Sequence, residues 1–221
     1  MIRYFSIIVI FFLFLHCQEN TVVCPSGFDA AYEIGYFALS DSTLDNIPYD
    51  ASTKEIVLTD STGKQLVGIL DTVKFIHDNP LYGYAPCIYD ASQEMWVKAY
   101  VDWWSTSIRF EQLDFRLSIR YAVTVAIENI NSIDQWDFVH VRGYGPDSSQ
   151  FARIMSIVIN GSGDAWSLTQ PTFSTVTLNG RMFEDVYVSN QTQHPALVYF
   201  STSQGLVGLQ LNSSEPLYVL E

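Results

Sequence analysis

The residues best suited to chemistry in this chain are aromatic. Read as an extended strand, Met95–Trp104 projects Trp96, Lys98, Tyr100, Asp102 and Trp104 to one face and Val97, Ala99, Val101 and Trp103 to the other. The second set is a core face. The first is an amphipathic stripe of three aromatics separated by a cation and an anion, with Trp96 and Tyr100 about 13 Å apart. Such platforms suit sugar rings, whose C–H faces stack while their hydroxyls seek polar partners. They equally suit protein partners, for which Trp and Tyr are favoured anchors. The competing reading buries both faces, so that the aromatics only pack.

Catalytic spacing is missing from the sequence. There is no G-x-S-x-G, H-E-x-x-H, phosphate-cradling glycine loop or calcium-loop pattern. His77, His140 and His194 are scattered, and His140 reads as a surface residue on a strand over Phe138–Arg142. Asp134 and Asp137 flank Trp136 and read as a turn between strands. A glycosidase-like pair among the 24 acidic residues would have to come from distant positions. Cys24 and Cys87 are candidates for one disulfide in an oxidising compartment, the alternative being two free thiols. Two cysteines without close spacing or neighbouring histidines do not make a metal site. No cofactor is expected. The expectation is a binding protein rather than an enzyme, with a secreted carboxylate-dependent hydrolase as its rival.

The formal charge of −13 argues against nucleic acid, because no Lys/Arg cluster stands out along the chain to offset that field. Only 16% of residues are charged while 48% are apolar, which supplies a core and excludes disorder.

The elements that must position the stripe read as strands. From Leu113 to Ile127 every odd position is apolar and the even positions carry Asp114, Arg116, Ser118, Arg120, Ala122, Thr124 and Ala126. At about 50 Å, such a strand should bend or run around a curved sheet. Ile108 and Phe110 are apolar on even positions, so a bulge is expected near Glu111-Gln112. Further strands are expected at 65–76, 81–89, 95–104, 138–144, 152–159, 172–178, 182–188, 196–200, 206–211 and 217–220. Asn179-Gly180 predicts a type I′ hairpin with Val176 opposite Phe183. Turns are expected at 143–146 and 161–164, a helix or a strand at 28–39, and loose structure over much of 18–60. The fold class is therefore all-β, an antiparallel β-sandwich or an incomplete, strongly curved β-barrel.

The N-terminus combines Arg3, an apolar run from Tyr4 to Leu15 broken only by Ser6, and Cys17. Roughly twelve apolar residues are too few to span a bilayer, which takes about twenty, and they match the core of an export signal. Leu13-Phe14-Leu15-His16-Cys17 resembles the lipobox of bacterial lipoproteins, departing from it at His16, where a small residue is usual. The resemblance implies a signal peptide over 1–16, lipidation of Cys17, a tether over 17–27 and one β domain over 28–221. Gln18 and Glu19 are similar to the acidic start of Bacteroidota surface lipoproteins. The tripeptides at 41–43, 60–62 and 71–73 resemble that phylum's O-glycosylation sequon or, more plainly, make turns. The segment 183–220 is similar to the ends of uncharacterised envelope lipoproteins of that group. Some of these resemble half-barrel lipid carriers of the LolA type, a resemblance that transfers no ligand residue. What the lipobox resemblance implies is an envelope protein held to a membrane by a lipid anchor, at the outer membrane or cell surface; the aromatic stripe adds the expectation that it binds a glycan or an envelope protein. The alternatives are lipid carriage in a half-barrel and release as a soluble secreted protein.

Overall fold

The computed structural model describes Cys24 and residues 30–71, 73–87, 92–129, 132–144, 152–161, 168–189 and 196–221. Residues 1–16, the expected tether 17–27 apart from Cys24, His194, and residues 145–146 and 162–164 of the two expected turns lie outside this set. Thirteen strands and one short helix occupy it. They are β1 (Tyr32–Phe37), α1 (Asp41–Asp45), β2 (Glu55–Thr59), β3 (Gln65–Leu70), β4 (Lys74–Pro86), β5 (Glu94–Phe110) and β6 (Phe115–Asn129). Then follow β7 (Ser132–Tyr144), β8 (Ala152–Gly161), β9 (Phe173–Leu178), β10 (Arg181–Val188), β11 (Leu197–Ser201), β12 (Gly205–Gln210) and β13 (Tyr218–Leu220).

All thirteen strands join one sheet, in the order β8-β7-β6-β5-β3-β2-β13-β12-β11-β10-β9, with β1 and β4 attached to β5. The sheet is antiparallel except for the parallel β1–β5 pair and curls strongly into a half-barrel. Of the two all-β architectures expected from the sequence, this is the incomplete barrel. Alternation makes the core: the odd residues of β6 from Phe115 to Val123 are buried, Leu117 and Ile119 fully, and they meet Ile108, Phe110, Val139, Val141, Leu58 and Phe200. Burying each such side chain contributes about 1.5–3 kcal/mol. The β9–β10 hairpin turns on Asn179 and Gly180, both at positive φ, and sets Val176 opposite Phe183 as its two-residue loop requires.

Strand β5 is the organising element. One of its edges receives β3 at Ile108 and Arg109 and then β4 from Ser105 back to Glu94. The other edge pairs with β6 only as far as Trp103; where β6 departs, β1 takes the vacated edge over Val97–Val101. The buried face changes with the neighbours. Met95, Val97, Ala99 and Val101 are buried in one half, and Trp104, Thr106, Ile108 and Phe110 in the other.

Several local expectations are corrected. The parity change near Glu111 is not a bulge but a hairpin: Phe110 pairs with Phe115 across a 3₁₀ turn closed by Asp114 in the left-handed region. The segment 65–76 is two strands, β3 and β4, lying end to end along β5. Residues 28–39 contribute a strand, and the passage assigned to loose structure contains α1 and β2. Asp134 and Asp137 sit within β7, not in a turn, paired with Ala126 and Val123. An odd separation along a strand sends them to opposite faces. His140 is half-buried rather than a plain surface residue.

Candidate functional site

Cross-strand register builds an aromatic face on β1, β4 and β5. Trp96 lies opposite Tyr84, Lys98 opposite Tyr82 and Glu33, and Tyr100 opposite Pro80 and Tyr36. Directly opposed residues share a face. Tyr84, Tyr36 and Tyr82 are 55%, 48% and 40% exposed, a concentration of accessible rings on one three-stranded patch. Trp96, Lys98 and Tyr100 are half-buried between them.

Contacts within the patch fix its shape. The Tyr84 and Trp96 rings lie 4.0 Å apart at 40°. Lys98 Nζ donates to the Tyr100 hydroxyl at 2.5 Å and sits 4.3 Å from the Tyr100 ring centre and 6.0 Å from that of Tyr82. The hydrogen bond to the Tyr100 hydroxyl is the main cause that raises the Lys98 pKa, with a smaller part from Tyr82 and the least from Glu33, so the ammonium is a fixed cation amid the rings.

At the end of this face stands a polar cluster made by a bulge. Ile76 pairs with Trp103 and Asn79 with Val101, so His77 and Asp78 together oppose Asp102, and Asp78 adopts positive φ. The extra residue brings His77 Nδ1 to 3.0 Å from Asp102 Oδ1, the same oxygen that accepts the Tyr36 hydroxyl at 2.5 Å. Asp102 is 3% exposed, whereas the His77 side chain is 61% exposed. The bond to the Asp102 carboxylate pushes the Tyr36 hydroxyl up to about 12, keeping it protonated and oriented.

Of the five residues expected to form one accessible stripe, three do so: Trp96, Lys98 and Tyr100. Asp102 is buried beneath Tyr36 and His77. Trp104 belongs to the main core, stacked near Tyr49 and edge-on to Tyr121. The physical reason is the change of buried face along β5, which turns the stripe inward beyond Tyr100. Sequence reasoning missed Tyr36, His77, Tyr82 and Tyr84. Tyr82-Gly83-Tyr84 carries a period-two signal; Tyr36 carries none, since only the parallel pairing of β1 delivers it.

Cys24 and Cys87 form a disulfide with their Cα atoms 6.0 Å apart. It is packed with Ala85, Met95 and Val97 on the buried side of the same strands, and so braces the patch from behind. Asp137, another buried carboxylate, accepts from Ser40 N, Ser40 Oγ and Thr43 Oγ1 and thereby docks the start of α1. Asp60 accepts from Thr62 and Lys64 within its own loop, which is the turn reading of that tripeptide. Among the described residues no group of three or more His, Cys, Asp or Glu is placed to hold a metal ion, and no helix is long and apolar enough to cross a membrane. The arrangement can stack rings and exchange hydrogen bonds. No family model matches the chain, and no match was found among the curated proteins or the solved structures.

Proposed function

We propose that the protein is a cell-envelope lipoprotein, tethered through Cys17, whose β domain binds a glycan through the face of Tyr36, Tyr82, Tyr84, Trp96, Lys98 and Tyr100. The observation that carries this reading is the cluster of exposed rings interleaved with one cation and one anion on a braced, three-stranded surface. Exposed apolar rings cost solvation unless a partner covers them. Lys98, Glu33 and the tyrosine hydroxyls supply donors and acceptors at the ring edges, as a sugar's alternation of C–H faces and hydroxyls demands. A protein partner would use the same anchors. The tested difference is that neutral oligosaccharide competes for a glycan site.

The half-barrel shape supports a second reading, lipid carriage. The apolar hollow bounded by Leu44, Ile47, Tyr49, Phe75 and Trp104 measures about 320 Å³. That is the small end of the range for ligand pockets. The interior beside it is filled by side chains. Retention of neutral envelope polysaccharide on the immobilised protein, lost in Trp96→Ala and Tyr84→Ala, tests the glycan reading. Organic extraction that yields stoichiometric lipid, with no polysaccharide retained, would replace it by lipid carriage. The tether is tested by intact mass: an acylated chain beginning at Cys17, lost in Cys17→Ser, is expected, and an unmodified soluble chain would contradict it.

A further inference from the structure

Six of the chain's 11 Lys and Arg residues gather on a second surface, the polar face shared by β4 to β8. Ser105 pairs with Lys74 and Arg120, and Arg120 with His140. In the next row, Arg142 and Arg153 are direct cross-strand partners; in the row beyond, Arg109 and Arg116 are. Two acids accompany these six cations: Asp71, whose N–H donates to Ser107 O at 2.8 Å and whose carboxylate meets Arg116, and Glu111, 3.6 Å from Arg109. Like charges placed directly opposite one another destabilise a sheet. This fold accepts two such arginine pairs in a protein whose formal charge is −13.

The local chemistry is that of an anion site. A cleft of about 310 Å³ lies between Lys74 and Arg116, with Asp71 and the hydroxyls of Ser105, Ser107 and Ser118 on its walls. Asp71 bridges Arg116 at 2.5 Å and accepts from Ser107, holding that guanidinium at the rim. The Arg120 guanidinium carbon lies over the Trp103 ring, 3.9 Å from its centre, a cation–π contact. Desolvation lowers the pKa of Arg120 and, with the charges of Arg153, Arg142 and Arg120, holds His140 down at about 4. With Asp71 on Arg116 and Glu111 on Arg109, six cations against two acids leave positive charge in local excess on this face.

We infer that this face binds a compact, multiply charged oxyanion, a phosphate- or sulfate-bearing group, with Lys74 and Arg116 gripping it in the cleft and Arg120, Arg142 and Arg153 extending the field. A long polyanion is disfavoured by the acidic remainder of the molecule, whereas a small group within a Debye length, about 8 Å, meets chiefly the local cations. The inference is independent of the aromatic face. Its ligand can be a soluble phosphorylated molecule or a lipid head group.

The test is calorimetric titration of the full chain with inorganic pyrophosphate at low salt, repeated with Lys74→Gln, Arg153→Gln and the double variant. Lys74 and Arg153 are exposed, so neither change removes core packing. Arg116 is left in place because its loss would strand Asp71. Saturable binding that weakens with salt, and weakens about ten-fold in the double variant, is expected. The titration midpoint of His140, followed by nuclear magnetic resonance, should rise when pyrophosphate is bound. Flotation with vesicles of phosphatidylglycerol against phosphatidylcholine separates the sources. Binding that depends on the anionic lipid and is displaced by pyrophosphate marks a head group, and pyrophosphate binding alone marks a soluble ligand; both support the site. Wild-type protein that binds neither probe, or a double variant that binds like wild type, would overturn it.

Discussion

Acidification should reveal His140 as a stability switch of modest size. The ring is stacked near Phe138, lies 2.8 Å from Ser156 Oγ, and faces Arg120 on β6, Arg142 on β7 and Arg153 on β8. Burial first, then these three cations, lower its pKa from 6.5 to about 4. The native ring thus stays neutral while the unfolded one takes up a proton. The stabilisation this represents is complete above pH 6.5 and is lost as pH falls through 4. A gap of about 2.5 units corresponds to a ceiling of about 3.4 kcal/mol. The ring is partly solvated and its arginine neighbours are at the surface, so screening reduces this to about 1–2 kcal/mol. Urea unfolding at pH 7 and pH 4, on wild type and His140→Gln, isolates the effect from that of the carboxylates. Wild type should lose about 1–2 kcal/mol more than the variant on acidification. Equal losses, or a His140 midpoint above 6 by nuclear magnetic resonance, would refute the reasoning.

Three further outcomes are expected. Opening the Cys24–Cys87 bridge, which spans 63 residues, should cost about 4 kcal/mol in the loop-entropy account; unfolding midpoints with and without reductant measure it, and an unchanged midpoint would contradict a formed bond. Gly68 faces Ile108 and Phe110 so closely that an added Cβ would lie 2.5 Å and 2.6 Å from their side chains. Gly68→Ala should therefore destabilise by about 1–3 kcal/mol in denaturant melts, and a neutral result would mean that this part of the core yields. In Asp102→Asn the Tyr36 hydroxyl should ionise nearer its ordinary value than at about 12 in ultraviolet titration. The raised value stabilises the fold below pH 10 and is lost as pH climbs through 12, so the variant should lack that alkaline window.

Pattern within one strand was legible from sequence, and partnership between distant strands was not. The alternation of β6 and the Asn179-Gly180 hairpin are local facts, and both appear in the structure as read. The apolar parity of β5 was visible too: odd at Val97, Ala99 and Val101, even at Ile108 and Phe110. The change within β5, between Val101 and Trp104, went unread, because it falls where β6 leaves and β1 arrives and no residue nearby announces that exchange. This is why Trp104 was assigned to an accessible stripe and lies in the core. His77 was passed over because only a bulge in β4 aims it at Asp102. The basic face escaped for a similar reason: Lys74, Arg116, Arg142 and Arg153 are scattered along the chain, and antiparallel register alone makes them neighbours.

The central claim, a glycan-binding face on β1, β4 and β5, is tested most directly through the indole N–H resonances of the chain's five tryptophans during titration with neutral oligosaccharides. Trp96 should shift saturably while the buried Trp104 stays in place, and Tyr84→Ala should weaken the response. Shifts confined to other tryptophans, or none from any neutral oligosaccharide, would contradict it.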